Sequence, residues 1–203
     1  MKRTLLALSL AALIGPTLAT AATPAPASNI SHAQFAPLLA GDWRVPQNAA
    51  RDQYRHPEQT LQFFGLRDDQ TVIEITPGNG WYSELLAPLL KEKGHYVAAI
   101  VAPSVSDYAR KSADGLKQKY AADPAHYGKV EVVEYAPDAP VLGKPGSADT
   151  VLTFRNVHNW VDAGNEAATF KAFYEVLKPG GTLGVVDHRA KSGTTAKDNE
   201  KNG

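Results

Sequence analysis

Two histidines stand directly after predicted strands, where they could remove a proton from a substrate. His158 follows the predicted strand of residues 150–154, and His188 follows that of residues 182–186. The imidazole ring titrates near neutral pH and is the side chain used most often for general acid–base chemistry. We therefore predict His158 as the first candidate for a catalytic base and His188 as the second.

A metal site and a nucleophilic triad are the two alternatives raised by polar residues in this region. Asn156, Asp187 and His188 could ligate a divalent cation, but oxygen-rich metal sites normally use more carboxylates than these strand ends supply. No serine lies within a Gly-x-Ser-x-Gly sequence, which disfavours a hydrolase with a nucleophile elbow. We predict neither a resident metal nor a serine nucleophile.

A glycine-rich turn follows the first predicted strand. The sequence there is Glu74-Ile75-Thr76-Pro77-Gly78-Asn79-Gly80. The two glycines permit positive φ and let the backbone approach a ligand closely. The turn favours a nucleotide-like ligand, although a tight connection that binds nothing has the same pattern.

Strands and helices alternate along the chain around this turn. Apolar, β-branched runs predict strands at residues 71–75, 96–101, 130–135, 150–154 and 182–186, and apolar residues at helical spacing predict helices at residues 57–64, 81–93, 104–122 and 165–177. The last helix is predicted to bury Phe170, Phe173, Tyr174 and Leu177 and to end in a turn at residues 178–181. This alternation predicts an α/β fold with a doubly wound, Rossmann-like parallel sheet that binds its ligand at the carboxyl ends of the strands.

Three stretches resemble the class I S-adenosylmethionine-dependent methyltransferases. Residues 72–80 resemble the first motif of that family, residues 148–152 its fourth strand, and Leu177-Lys178-Pro179-Gly180-Gly181-Thr182-Leu183 the turn into its fifth. A nicotinamide-binding domain is the nearest competitor, but it would have glycine or alanine at Ser83 and an acid at Ile100. The resemblance implies methyl transfer from S-adenosylmethionine to a small-molecule or envelope substrate.

The resemblance also implies roles for individual residues. It assigns Glu74 to the methionine end of the cofactor, Asp138 to the adenine amino group and Asn156 to the segment beside the transferred methyl group. It assigns the backbone of five turn residues to the carboxypropyl and sulfonium region, namely Thr76, Pro77, Gly78, Asn79 and Gly80. Thr76 stands where the family has its first glycine, and Ile100 where it has the acid that binds the ribose. The alternative function is therefore a non-catalytic exported binding protein on a degenerate methyltransferase fold.

The first 22 residues have the pattern of a secretory signal peptide. Lys2 and Arg3 precede an apolar run at residues 5–14, and small residues follow at positions 19–22. With the stretches at residues 51–57 and 186–190, this signal resembles exported bacterial methyltransferase-like proteins, which implies a periplasmic location. We expect a spacer and N-terminal arm at residues 23–40, the α/β domain at residues 41–190, and no stable membrane span after cleavage. With 21 basic and 21 acidic residues, the chain predicts no nucleic-acid partner.

The polar residues 191–203 show no apolar periodicity. The resembling family normally continues with an antiparallel hairpin beside the fifth strand, and this sequence has no segment to form it. We therefore expect a truncated chain, an exposed edge at residues 182–186, and possible self-association through that edge.

Overall fold

The fold was analysed in a computed structural model that describes residues 29–195. The predicted signal peptide, residues 23–28 of the predicted arm and residues 196–203 of the predicted tail lie outside the described residues. None of the helices within residues 29–195 is both long and apolar enough to cross a membrane.

Five strands form one parallel sheet in the order β3-β2-β1-β4-β5, which confirms the predicted fold class. The first strand lies at the centre because the chain continues outward first to one side and then to the other, and strand order reverses beside it. Ligands bind to such sheets at this reversal. The strands are β1 (Thr71–Ile75), β2 (His95–Val101), β3 (Glu131–Tyr135), β4 (Ala148–Phe154) and β5 (Leu177–Val186).

Nine helices within residues 29–195 connect and cover these strands. They are α1 (His32–Leu39), α2 (Pro46–Ala49), α3 (Asp52–Arg55), α4 (Pro57–Phe63), α5 (Ser83–Leu90), α6 (Asp107–Ala122), α7 (Pro124–Tyr127), α8 (Val157–Ala163) and α9 (Glu166–Val176). The helix predicted at residues 81–93 is shorter than expected. Helix α6 begins later than predicted because the Ser106 hydroxyl accepts the amide of Ala109 and caps it there.

The sheet is buried on both faces, as crossover helices require of a parallel sheet. Val72 of β1 packs in the cluster formed with α5 and α6, whereas Ile73 and Ile75 pack in the cluster formed with α9. Side chains alternate between the faces of a strand. Glu74 therefore lies on the same face as Val72, among buried side chains.

The prediction for the last helix is wrong in two respects. Tyr174 is 83% exposed, and the buried face of α9 is formed instead by Thr169, Ala172, Phe173 and Val176. The predicted turn at residues 178–181 is part of β5, which begins at Leu177 and shifts its register against β4. The helix therefore ends at Val176, and an irregularity within the strand takes up the Pro-Gly-Gly sequence.

Strand β5 pairs only with β4 among the described strands, in agreement with the predicted edge position. Within the predicted N-terminal arm, α1 begins with a capping box between Ser31 and Gln34 and buries Phe35 and Leu38. This helix contacts α5. The described part of the arm therefore packs against the α/β domain.

Candidate functional site

Two cavities lie at the carboxyl edge of the sheet. The larger, of about 510 Å³, lies beside the ends of β4 and β5 and is lined by Arg51, Tyr54, Arg55, Thr60, Tyr82, Phe154, Arg155, Val186 and His188. The smaller, of about 110 Å³, lies beside β2 and α6 and is lined by Thr76, Pro77, Gly78, Ile100, Val101, Ser106, Tyr108, Ala109, Ser112 and Ala113. The turn therefore lines the smaller cavity, and none of its residues lines the larger one.

Thr76 opens the turn in a left-handed backbone conformation, with φ of 50°. Its amide donates to the carbonyl of Ala99 at 2.8 Å, and its hydroxyl lies 2.8 Å from the Tyr135 hydroxyl. A residue that is not glycine adopts this conformation at a cost of about 1 to 3 kcal/mol. These two hydrogen bonds hold Thr76 where the resembling family has glycine.

In the rest of the turn, two backbone amides are unpaired within the described residues and two backbone carbonyls contact a lysine. No group within residues 29–195 accepts a hydrogen bond from the amides of Gly78 and Asn79. The ammonium of Lys119 lies 3.2 Å from the carbonyl oxygen of Asn79 and 3.4 Å from that of Gly80. A Cβ atom at Gly78 would meet nothing within 4 Å. The turn thus offers two amides and open space to an approaching ligand.

Backbone strain is concentrated around the two cavities. His56, Thr76 and Arg155 are the only non-glycine residues between positions 29 and 195 with positive φ. Thr76 lines the smaller cavity, Arg155 lines the larger, and His56 follows a residue that lines the larger. Strained residues of this kind occur mainly at functional sites, and they persist where the surrounding structure maintains them.

Glu74 is buried and lines neither cavity. The Tyr96 hydroxyl donates to its carboxylate at 2.5 Å, and Ser83 connects Tyr96 to Tyr120 through two 2.8 Å contacts. Burial raises the pKa of Glu74 to about 7, opposed by the hydrogen bond from Tyr96. Direct contact with a cofactor, as the resemblance implies, stays a prediction for this side chain.

We expect Glu74 to make stability depend on pH. Its pKa rises from 4.5 in the unfolded chain to about 7 in the folded protein, so its contribution is complete below pH 4.5 and is lost as the pH rises to 7. The free energy of unfolding of the wild type, relative to Glu74→Gln, should therefore fall by about 3 kcal/mol across this window. Urea titrations at pH 4.5, 6 and 8 measure the difference, with Glu92→Gln on the exposed surface as the matched control. A constant difference between wild type and Glu74→Gln would contradict this assignment.

The structure separates the other two predicted cofactor residues from the larger cavity. Asp138 is exposed in a tight turn after β3, where the amide of Ala139 donates to the carbonyl of Ala136. The side-chain amide of Asn156 donates at 3.1 Å both to the carbonyl of Ile75 and to the hydroxyl of Thr153. Asn156 therefore connects the ends of β1 and β4, beside the turn.

The two predicted histidines lie together, but only His188 lines the larger cavity. The ring centroids of His158 and His188 are 5.3 Å apart, and His188 alone lines the larger cavity. Asp187 lies between them, with its carboxylate 3.0 Å from Nδ1 of His158. The same carboxylate accepts hydrogen bonds from the backbone amides of Val157 and His188, both at 2.7 Å. Burial raises the pKa of Asp187, but these hydrogen bonds outweigh it and hold the pKa below its usual value.

His158, Asp187 and His188 each offer an atom that could ligate a metal ion, all within 4.8 Å of one another. This set differs from the alternative considered from sequence, since it includes His158 in place of Asn156. The Arg155 Nε donates to Nε2 of His188 at 3.0 Å. A guanidinium at that position opposes a second cation.

An unpredicted ionic network ties the N-terminal segment to the turn. Glu84 of α5 is fully buried, and one carboxylate oxygen lies 2.6 Å from Nζ of Lys119 and 2.7 Å from the side-chain amide of Asn48. Its other oxygen is 3.6 Å from Nε of Arg44, which also pairs with Asp52. The same lysine that contacts the turn carbonyls therefore connects to residues 44–52.

Sequence reasoning also missed two of the three arginines of the larger cavity. Arg51 and Arg55 are four residues apart, a spacing that places two side chains on one side of a helical segment and could have been noticed. Arg155 approaches them only because β4 ends beside that segment. Tyr82 and Phe154 form the apolar part of the cavity, with stacked rings whose centroids are 3.6 Å apart.

The chain was compared with known proteins in sequence and in structure. No family model matches the chain, and no curated protein matches it in sequence. It is similar to a SAM-dependent methyltransferase of Aquifex aeolicus, with 22% identity and a TM-score of 0.50 over 66% of this chain and 64% of that one. It is also similar to the PH0226 protein of Pyrococcus horikoshii, with 16% identity and a TM-score of 0.51 over 74% and 58% of the two chains. The chain thus spans less than two thirds of the length of either protein. At these identities the likeness concerns the fold alone: the described chain has the Rossmann-like fold of S-adenosylmethionine-dependent methyltransferases.

Proposed function

We propose that this protein transfers a methyl group from S-adenosylmethionine to a small-molecule acceptor bound in the larger cavity. The observation that carries the proposal is the turn after β1, which has two amides unpaired within residues 29–195 and open space at Gly78 beside the smaller cavity. A cofactor seated at this turn would have the acceptor cavity on the side of β4 and β5.

The residues of the turn fit the methionine and sulfonium end of this cofactor. The amides of Gly78 and Asn79 are available to it, and the absence of a side chain at Gly78 allows close approach. The smaller cavity, which would adjoin the adenosine, has Ile100 and no carboxylate among its lining residues. The hydroxyls of Ser106 and Ser112 are polar groups that line it in place of the usual acid.

The cofactor supplies a methyl group already activated on a sulfonium, so the chain needs to align a nucleophile and accept its proton. We assign the proton-accepting role to His188, because its side chain lines the larger cavity. Its acceptor nitrogen, Nε2, receives a hydrogen bond from Arg155 in this structure, so this role requires Arg155 to release Nε2 when the acceptor binds. His158 does not line that cavity, and its contact with Asp187 fits a positioning role for the end of β5. This order reverses the one expected from sequence.

Calorimetry on the mature protein tests the proposal. S-adenosylhomocysteine and S-adenosylmethionine should bind with one site per chain in the micromolar range. No heat of binding at millimolar cofactor would remove the enzyme and leave the rival function, a binding protein that uses the cleft for another ligand.

Export to the bacterial periplasm is part of the proposal and depends on residues 1–22. Mass spectrometry of the protein purified from a Gram-negative host should find a chain that begins near Thr23. A full-length chain retained in the cytoplasm would contradict export.

A further inference from the structure

The larger cavity brings together positive charge from two distant parts of the chain. Arg51 and Arg55 come from the segment before α4, and Arg155 follows β4. No carboxylate of residues 29–195 lies within 4 Å of any of these three guanidinium groups. The nearby acids are already paired, Asp52 with Arg44 and Asp187 with His158.

The three arginines repel one another across this cavity. Burial and the charges of Arg51 and Arg155 lower the pKa of the Arg55 guanidinium. Burial is the larger cause of this shift, but arginine stays charged in proteins, so the three guanidinium groups remain like charges around one cavity. A bound anion would relieve that repulsion.

Two of these side chains are held in place despite their charge. The Cζ of Arg55 lies 4.6 Å from the centre of the Trp81 ring, at the distance of a cation–π contact. Arg155 has φ of 63°, its amide donates to the carbonyl of Val186 at 2.7 Å, and its Nε donates to His188. A strained backbone that presents a charged side chain to a cavity indicates a ligand for that charge.

Aromatic side chains form much of the remainder of the cavity. Tyr82 and Phe154 stack against each other, and Tyr54, which is 78% exposed, stands at the cavity as well. A volume of about 510 Å³ is within the range of small-molecule sites, roughly 300–1,000 Å³. Apolar rings beside guanidinium groups suit a planar molecule with an acidic group.

We infer that the larger cavity binds a planar, aromatic small molecule that carries a carboxylate or phosphate, with Arg51, Arg55 and Arg155 around the anionic group. If this molecule is the methyl acceptor, its methylated atom lies beside His188. That part of the inference rests on the proposed function. The anion site itself does not depend on methyl transfer.

Titrations with matched probes test the inference. We expect 4-hydroxybenzoate to shift the backbone amide resonances around the cavity at millimolar concentration, and the isosteric neutral amide 4-hydroxybenzamide to bind about tenfold more weakly. Phenyl phosphate distinguishes a phosphate site from a carboxylate site, according to which acid binds more tightly. Equal affinity for the acids and the neutral amide would overturn the inference.

Arginine variants identify the source of the charge. Arg51→Gln and Arg155→Gln should each weaken binding of the tighter acid about tenfold, the usual size of one lost charge-assisted hydrogen bond. Arg67→Gln removes the same charge before β1, at the opposite edge of the sheet, and should leave the affinity within a factor of two. Equal losses in all three variants would mean general electrostatic attraction and would overturn the site.

A parallel titration with S-adenosylhomocysteine separates this inference from the proposed function. The arginine variants should bind it as the wild type does. A tenfold loss there would show that the arginines hold the carboxylate of the cofactor and would overturn the inference. If wild-type protein binds the acid in an arginine-dependent way but binds no S-adenosylhomocysteine, the anion site stands and methyl transfer falls.

Discussion

Gly78→Val should weaken the binding of S-adenosylhomocysteine at least 100-fold. The Cβ position of Gly78 is open, and the residue lines the smaller cavity, so a valine side chain would fill the space through which a ligand reaches the turn amides. The substitution also forces a β-branched residue to a φ of 60°, where side chains clash with the backbone. Calorimetry measures the loss of affinity, and urea denaturation measures the cost to stability, which we expect to be about 2 kcal/mol.

Gly146→Val is the control that separates ligand exclusion from backbone strain. Gly146 has φ of 64° and nothing within 4 Å of its Cβ position, as at Gly78, but it precedes β4 and so lies at the opposite edge of the sheet. Both variants should lose similar stability, and only Gly78→Val should lose affinity. Wild-type affinity in Gly78→Val would show that this turn does not bind the cofactor.

The sheet could be predicted from sequence because its signals are local. The β-branched run Thr71–Ile75 stops at a Pro-Gly sequence, and Pro57 lies at the first position of α4, where a missing amide proton costs nothing. Each signal lies within a few residues of the element that it defines. The handedness of crossover connections then decides on which face of the sheet each connecting helix lies, once the strand order is known.

The two short helices that precede α4 could not be predicted in the same way. Helices α2 and α3 have four residues each, too few to be stable alone. Contacts with residues more than 30 positions away hold them, such as the 2.8 Å hydrogen bond from the Trp81 indole to the carbonyl of Asn48. Only a complete fold supplies such partners.

The candidate site could be predicted in part for the same reason. The turn and the histidines follow strands directly, so the topology alone places them at the carboxyl edge. The sequence did not show that Glu74 would be buried and hydrogen-bonded to Tyr96. Nor did it show that His188 would line the larger cavity and His158 would not. Those outcomes depend on which face each side chain occupies and on how far α8 covers the strand ends.

The buried network behind the turn predicts the largest effect on stability. Glu84→Gln keeps the shape of the side chain but removes the negative charge between Lys119 and Arg44. Two cations would then share a buried space with one fewer anion, and removing one member of a buried ion pair costs about 3 to 5 kcal/mol. We expect a value near 3 kcal/mol because Asp52 still pairs with Arg44.

Urea denaturation measures this loss, with Glu175→Gln as the control. Glu175 forms an exposed pair with Lys171 on α9, and losing such a pair costs at most about 0.5 kcal/mol. Glu84→Gln should also expose residues 44–52 to protease under native conditions, because the hydrogen bond from Asn48 to the Glu84 carboxylate weakens with the charge. A loss below about 1 kcal/mol with unchanged proteolysis would mean that packing alone holds this segment over the turn. The expected result instead makes Glu84 the electrostatic connection between the N-terminal segment and the carbonyl side of the glycine-rich turn, since Lys119 contacts both Glu84 and the turn carbonyls.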